Sequence, residues 1–581
     1  MYTIDAEKLN REKPEIDSAR EPFSPRRIAM NHPSQDVPST TFSEPQAAEI
    51  NEDSPDRHRQ RLKRRKRVGL LLLLLFGLWF FWPRPVKISE ETTRWTEPVD
   101  ASGLIDYAAV YQRRASEGVT PENNAAVPLV EQMGVDRLLE VGLSDVEDEL
   151  AAAGVALEAA REGGFIDLET WFLERGITAE DLPELDFSEG NPSAKELARV
   201  AMLRITQPWN PGEMPPVSRW VSFHRGVLRE LHEASRRERL YLPLEMDEGE
   251  VLLDAESIEM HLRMPLKLLL ARAMQTHDLN EDSGRTGRKN EETEAWADLA
   301  ALARLGALYG NIPHTYDWLV GHVILEDAYR GIIETATRAD WSEKSARDHL
   351  RRFRELPRPL PAWEVIDFWE RMLLLDWAAR LADYEGFEKH PGAFFLRHGI
   401  GMDRNVLLRR ANAYFDALVP IAQMQDFHQR RLRWESFRET LQEEGHVTWW
   451  KIFHPFGLSR TISDIFIDLT TSSIFSLLET EVNEAVLRNL AETALALEAY
   501  RATVGEYPDS LAELVPDDLE AVPRDGFGDG PLKYECTGDG YLMYSIGLNG
   551  VDDRGDPVDG KDLVVLVGDA KDTRQASQVV D

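Results

Sequence analysis

One cysteine, Cys536, serves a chain of 581 residues, so no disulfide can close within it and no multi-thiolate zinc site can form. A buried free thiol is the expected state of that residue. Several catalytic signatures are also missing. There is no His-Glu-x-x-His, no Gly-x-Ser-x-Gly, no phosphate-binding P-loop and no strand–glycine-loop–helix fingerprint for a dinucleotide. Runs of alternating Val, Ile and Thr are almost absent between residues 105 and 445, which argues against a β-sandwich or barrel there. Positive charge is scarce in one part of the chain. Residues 84–581 carry 53 basic against 90 acidic side chains, a net of −37, and that balance argues against nucleic acid as a partner and against the body lying flat on anionic lipid. His224 and His232, His390 and His398, and His446 and His454 each lie eight apart. On a helix that spacing separates two rings by about 12 Å, too far for one metal, so these read as structural histidines.

The most prominent positive feature is the uncharged run Val68–Trp82, with seven leucines. At 1.5 Å per residue fifteen residues cover about 22 Å, short of the roughly 30 Å of a hydrocarbon core. Lys66 and Arg67 reach headgroups by snorkelling, Trp79 and Trp82 suit the interface, and Pro83 and Pro85 end the helix. With 67 residues ahead of it and no small-x-small cleavage site after it, the run reads as an uncleaved anchor. Eight Lys or Arg residues lie between Arg57 and Arg67, against Arg84 and Lys87 beyond the run. The positive-inside rule then leaves the N-terminus in the cytoplasm and places the chain beyond Trp82 outside it, in a bacterium the periplasmic side of the inner membrane. Membrane lipid, through residues 68–82, is the first expected partner.

The expected fold class is mainly α: a single transmembrane helix, a large multi-helix ectodomain and a small C-terminal α+β module. The expected order is a disordered tail (1–67), an anchor (68–83), a stalk (84–104), the helical ectodomain (105–480), the module (481–567) and a flexible tail (568–581). Helical periodicity marks 193–205, 216–240, 258–276, 291–309, 316–337, 343–355, 363–384 and 404–444, punctuated by Pro-Trp-Asn-Pro-Gly at 208–212 and Pro-Arg-Pro-Leu-Pro at 357–361. Pairing 268–274 with 296–308 suggests a helical-hairpin repeat, although no period holds over three copies. The most site-like cluster in this body is Trp363, Glu364, Asp367, Trp369 and Glu370, since sugar-binding clefts set carboxylates beside tryptophans. An amphipathic helix with Trp363, Ile366, Trp369 or Glu370, Leu373 and Leu374 along one face accounts for the same residues, and no catalytic residue is assigned.

The last hundred residues have a recognisable order. An apolar-striped helix (482–501) ends in Tyr500-Arg501 and runs into Gly505-Glu506-Tyr507-Pro508. Leu514-Val515-Pro516, Asp525-Gly526-Phe527-Gly528, two short strands at 532–536 and 541–546, Tyr544-Ser545-Ile546-Gly547-Leu548-Asn549-Gly550, an acidic loop and a strand at 563–567 come next. This order resembles the globular domain of the major pseudopilins of type II secretion. It departs from them at Gly526, where they have proline, at Asn549, where aspartate is usual, and in having its apolar run some 400 residues upstream. The whole layout resembles a family of bacterial single-pass envelope proteins to which no activity is attached. Asn549, Asp552, Asp553, Asp556, Asp559 and Asp562 crowd fourteen residues, with Gly550, Gly555 and Gly560 between them. Such a loop offers the oxygen ligands that calcium requires. The expected ligands are Asn549, Asp552, Asp553 and Asp562, with Ser545 added by the resemblance. The expected function is a membrane-anchored interaction or scaffold protein for other envelope proteins. Alternatives are an accessory of a secretion or pilus-like machine, and a periplasmic hydrolase whose carboxylates converge only in the fold.

Overall fold

The computed structural model describes residues 55–80, 84–136, 150–151, 153–161, 163–187, 192–242, 261–276, 284–339, 341–380, 403–445, 457–556 and 562–568. The expected tails at 1–54 and 569–581, residues 81–83 of the anchor, Asp559, and His390, His398, His446 and His454 lie outside these. By internal contacts the chain divides into two units, residues 1–73 and 74–581.

Helix α1, Pro55–Phe80, holds both the basic stretch and most of the apolar run. The stretch 55–67, expected as part of a disordered tail, is therefore helical. Lys and Arg are good helix formers, and the leucines after them supply a nucleus from which helix propagates backwards. Leu70 to Leu75 are 52–69% exposed.

The larger unit is mainly helical. Several of its helices begin where a short polar side chain takes up a free backbone N–H. Asp106 accepts from Ala109 N at the start of α2, Tyr107–Ala115. After α3, Ala126–Met133, Asp167 caps α4, Leu168–Arg175, whose end is set by Gly176 at φ 63°. Ser193 caps α5, Ala194–Arg204. The single helix expected over 216–240 is two, α6, Pro215–Phe223, and α7, Arg225–Ala234. His224 makes the break: its Nδ1 lies 2.8 Å from Trp220 O, and its Nε2 accepts from Ile166 N at 3.0 Å.

Next come α8, Lys267–Ala273, α9, Gly284–Tyr309, α10, Thr315–Arg338, and α11, Glu343–Arg354. Helices α9 and α10 pack antiparallel, with Gly306 against Leu325 and Gly310 against Gly321. A Cβ on Gly321 would stand 2.3 Å from Gly310 N, so the backbones touch there and only glycine fits.

The stretch expected as one helix from Trp363 consists of α12, Ala362–Val365, a π-helical turn at Ile366–Glu370, and α13, Arg371–Arg380. It is followed by α14, Arg404–Ala422, and α15, Phe427–Gly445. The last helix, α16, covers Gly457–Val504. At 1.5 Å per residue its 48 residues extend about 72 Å.

Helix α16 joins the two main hydrophobic cores. Its first half, through Ile467, Ile474 and Leu477, packs with α2, the π-turn, α13 and α14. Its second half, from Val482 to Leu497, enters the core made by α3 to α11 and by the C-terminal sheet. Among the described residues one helix, Ser459–Val504, is long and apolar enough to cross a membrane, and 38% of its most apolar stretch is buried. Residues 84–104, expected as a stalk, lie along the body, with Val86, Ile88, Trp95 and Leu104 packed against the first of these cores. Four apolar side chains spaced through a polar stretch are enough to dock it.

At the C-terminus β1, Lys533–Cys536, β2, Tyr541–Ser545, and β3, Leu563–Val567, form an antiparallel sheet in the order β1-β2-β3. Tyr534 faces Met543, which faces Val565. Cys536 is a free thiol, half-buried rather than buried, because it ends the edge strand β1.

Candidate binding cleft

A cleft of about 740 Å³ opens where the docked 84–104 segment, α2 and the π-turn meet. That volume is typical of a ligand site.

One wall is a tight turn. Thr92 and Thr93 are buried, and Thr93 Oγ1 donates to Trp95 O at 2.7 Å. Tyr107 Oη donates to Thr93 O, and Asn412 Nδ2 to Thr92 O at 2.8 Å, which fixes the turn to α2 and α14. Arg94 sits at its tip in the left-handed region, φ 63°, a conformation that costs a non-glycine residue about 1 kcal/mol or more. The surrounding hydrogen bonds hold it there, with Arg94 and Trp95 both lining the cleft.

The second wall is the end of α2, which contributes Arg113 and Arg114. The third is the π-turn with the residues before it: Trp363, Glu364, Asp367 and Phe368. Arg114 Nη2 lies 3.2 Å from Glu364 Oε2, and its guanidinium sits 4.2 Å from the centre of the Phe368 ring. Trp95 meets Phe368 edge-on at 5.9 Å. Arg113 and Arg94 are exposed and have no ion-pair or hydrogen-bond partner among the described side chains.

Behind the cleft the same turn carries a buried polar layer. The Arg371 guanidinium, 2% exposed, pairs with Asp367 at 2.6 Å and Asp416 at 2.8 Å, and donates to Asn412 Oδ1. Glu370 is fully enclosed and accepts from the Thr315 hydroxyl. Burial pushes its carboxyl above the ordinary range, with the Thr315 hydrogen bond and nearby His314 opposing the shift. His314 Nδ1 lies 2.7 Å from Asp317 Oδ2, and its ring packs 4.3 Å from Trp369.

Of the five residues singled out by sequence, Trp363, Glu364 and Asp367 therefore line the cleft, while Trp369 and Glu370 pack behind it. The extra residue of a π-turn rotates the following side chains off the α-helical stripe, and such turns recur at functional sites. On this wall Glu364 is paired with Arg114 and Asp367 with Arg371, while Glu97 and Glu117, both exposed, also line the cleft. Sequence reasoning passed over Arg94, Trp95, Arg113 and Arg114. A tryptophan in a polar segment and a pair of arginines closing a weak helix were the available signals.

The acidic loop holds the expected metal ligands in separate arrangements. Ser545 Oγ donates to Asp525 Oδ1 at 2.6 Å, and Ile546 N to Asp525 Oδ2 at 2.8 Å. Asn549 Nδ2 donates to Asp553 Oδ2. Asp552 accepts from Tyr544 Oη and Arg554 N, with Lys533 Nζ 3.5 Å away. Asp562 is buried: its Oδ2 accepts from Gly555 N at 2.7 Å, while Oδ1 has no hydrogen-bond partner. Burial, with the charges of Asp553 and Asp552 adding, raises its pKa. Among the described residues no three His, Cys, Asp or Glu side chains converge as a metal site.

Where the long helix meets the sheet, Tyr507 Oη donates to Glu498 Oε1 at 2.7 Å and accepts from Arg501 Nη1 at 2.9 Å. Burial pushes the Glu498 carboxyl up to about 7, against the hydrogen bond from Tyr507 and the charge of Arg501. Gly526 lies flat on the body: a Cβ there would be 2.7 Å from Val486 Cγ2 and 3.2 Å from Phe427. No family model, no curated protein and no solved structure matches the chain.

Proposed function

We propose that the chain is a single-pass envelope protein, anchored in the bacterial inner membrane through residues 68–82, whose extracytoplasmic body binds another envelope protein. The observation that carries this reading is the cleft: two tryptophans and the exposed guanidinium groups of Arg94 and Arg113, with Glu364 and Asp367 held by arginines and Glu97 and Glu117 exposed along the lining. This cleft suits an extended segment of a partner, with a carboxylate for Arg94 or Arg113 and an apolar side chain against Trp95 or Trp363. The exposed leucines of α1 support the anchor, because six adjacent leucines in water would be an aggregation site.

In the same reading calcium binds the acidic loop. The buried Asp562, with one oxygen unpartnered and two further carboxylates close enough to raise its pKa, supports that assignment. Asn549, Asp552 and Asp553 are the neighbouring oxygen donors, and Ser545 is engaged by Asp525. The ion would supply charge neutralisation, holding the loop against the sheet.

The test is a photo-crosslinking amino acid at position 113, with a control at position 173, which is 71% exposed and remote in sequence from the cleft residues. A discrete adduct from position 113 alone, in cells, supports the proposal. Identical adducts from both positions, or none, would sink it.

A further inference from the structure

With 90 acidic side chains against 53 basic ones after residue 83, a face where the cations outnumber the acids is unexpected in this body. One such face lies at the start of α14. Asp403 N donates to Ser459 Oγ at 2.7 Å, which sets the first turns of α14 and α16 side by side. Arg409 and Arg410 from α14 and Arg460 from α16 line a pocket of about 380 Å³ there, floored by Val406 and Ala413. Arg409 and Arg460 are exposed and have no ion-pair or hydrogen-bond partner among the described residues. Arg410 is shared with Asp464 and keeps a buried Nε unpartnered. The acids of this face are already engaged: Asp464 by Arg410, and Asp403 by Asn405 N, which it caps.

The segment just beyond the apolar run docks at the same place. Lys87 N donates to Asn405 Oδ1 at 2.7 Å, and Asn405 Nδ2 donates to Pro85 O at 3.0 Å. Lys87 thus adds a further exposed cation beside the first turn of α14.

We propose that this face docks on the anionic phospholipid headgroups of the membrane that holds the leucine run. The inference rests on the anchor reading. The apolar run ends at Trp82. Lys87 comes so soon after it that the intervening chain, at no more than 3.6 Å per residue, spans at most about 18 Å. The polar headgroup layer is itself about 5–7 Å deep on each side, so the tether keeps this face within short reach of it. A guanidinium presents a planar fork that matches phosphate in a bidentate way, and cations within a Debye length of an anionic surface are drawn to it. The rest of the body, net negative, is repelled by the same surface. Attraction at one face and repulsion over the others would fix which way the body stands on the bilayer, and so where the cleft points.

The test uses the full chain with Cys536→Ser and Ala413→Cys, in lipid nanodiscs. Position 413 lines the pocket and is exposed. Labelling by an uncharged maleimide is timed in phosphatidylcholine discs and in discs with about 30% phosphatidylglycerol. Labelling about tenfold slower in the anionic discs is expected, with the rate restored by Arg409→Glu plus Arg460→Glu and unchanged at a Leu203→Cys control. Equal rates at position 413 in both discs would overturn the inference while leaving the anchor intact. Slowing by inorganic phosphate in phosphatidylcholine discs, without an effect of phosphatidylglycerol, would make this a free-anion site and overturn the lipid assignment. Failure of the chain to enter either disc would remove the anchor reading, and this inference with it.

Discussion

Glu498 gives the sharpest quantitative test of the structure. Its carboxyl is 3% exposed, at the junction of α16 with the sheet, and its pKa is pushed up to about 7 from an ordinary 4.5. Desolvation is the main cause, and neither the Tyr507 hydroxyl nor Arg501 offsets it. Below pH 4.5 folded and unfolded chains are both protonated and the contribution to stability is fully present. Between 4.5 and 7 the folded chain holds the proton that the unfolded chain releases, so stability falls as pH rises. The slope is about 1.4 kcal/mol per pH unit, and the total loss by pH 8 is roughly 3 kcal/mol. Glu498→Gln keeps an acceptor for Tyr507 and removes the charge. Hydrogen exchange at the Tyr541–Ser545 amides of β2 reads the opening of this part of the chain. Relative to the parent, the variant should gain little protection at pH 5 and more at pH 8, the two differences separated by roughly 2.5 kcal/mol. A difference between parent and variant that does not change with pH would refute the reasoning.

Three further outcomes rest on named contacts. Gly526→Ala drives a methyl to 2.7 Å from Val486 Cγ2 and should cost roughly 1–3 kcal/mol, read as a lowered denaturation midpoint; an unchanged midpoint would mean the corner does not lie on α16. Leu72→Arg with Leu73→Arg puts two charges in the apolar run at roughly 3 kcal/mol each, and should move the chain out of the membrane fraction on carbonate extraction. Titrating the full chain with calcium should release or absorb heat at millimolar ion or below, and Asp562→Asn should abolish that heat. No heat from the parent would end the calcium assignment.

Much of the helical body was legible because buried helices write their period into the sequence. Stretches such as 316–337 and 343–355 reappear as α10 and α11 within a residue or two, and the second is capped by Ser342. The π-turn was not legible. One extra residue in a single turn leaves the apolar count intact and only rotates the side chains after it, so the sequence does not show that Trp369 and Glu370 pack behind the cleft while Glu364 and Asp367 line it. The cleft was hidden for another reason. Its walls come from residues near 94, 113 and 364, and nothing local in a sequence records that a segment with the composition of a stalk folds back onto a helix some 270 residues later. At Gly526 the two levels explain each other. A departure from the pseudopilin pattern that looked like a loss is the residue that lets α16 and Phe427 pack against the corner.

Two segments compete for the membrane by composition, and burial separates them. Helix α16 is apolar over Ser459–Val504, but its Ile474, Leu477, Val486, Leu490 and Leu497 are at most 1% exposed within the two cores. Taking them into lipid would empty both cores at about 1.5–3 kcal/mol per side chain. It would also carry Asp464 and Asp468 into hydrocarbon, the first away from Arg410, at roughly 3 kcal/mol for each charge near the bilayer centre. The run at Leu70–Leu75 has the opposite balance: its leucines are more than half exposed in the fold, and insertion removes that surface from water at no packing cost. A helix that buries part of its apolar surface in protein must give up that packing to enter lipid, whereas one that buries none of it gains the transfer energy without that cost. This balance of burial is what favours the shorter segment as the anchor in the proposed reading, with the longer one joining the two cores.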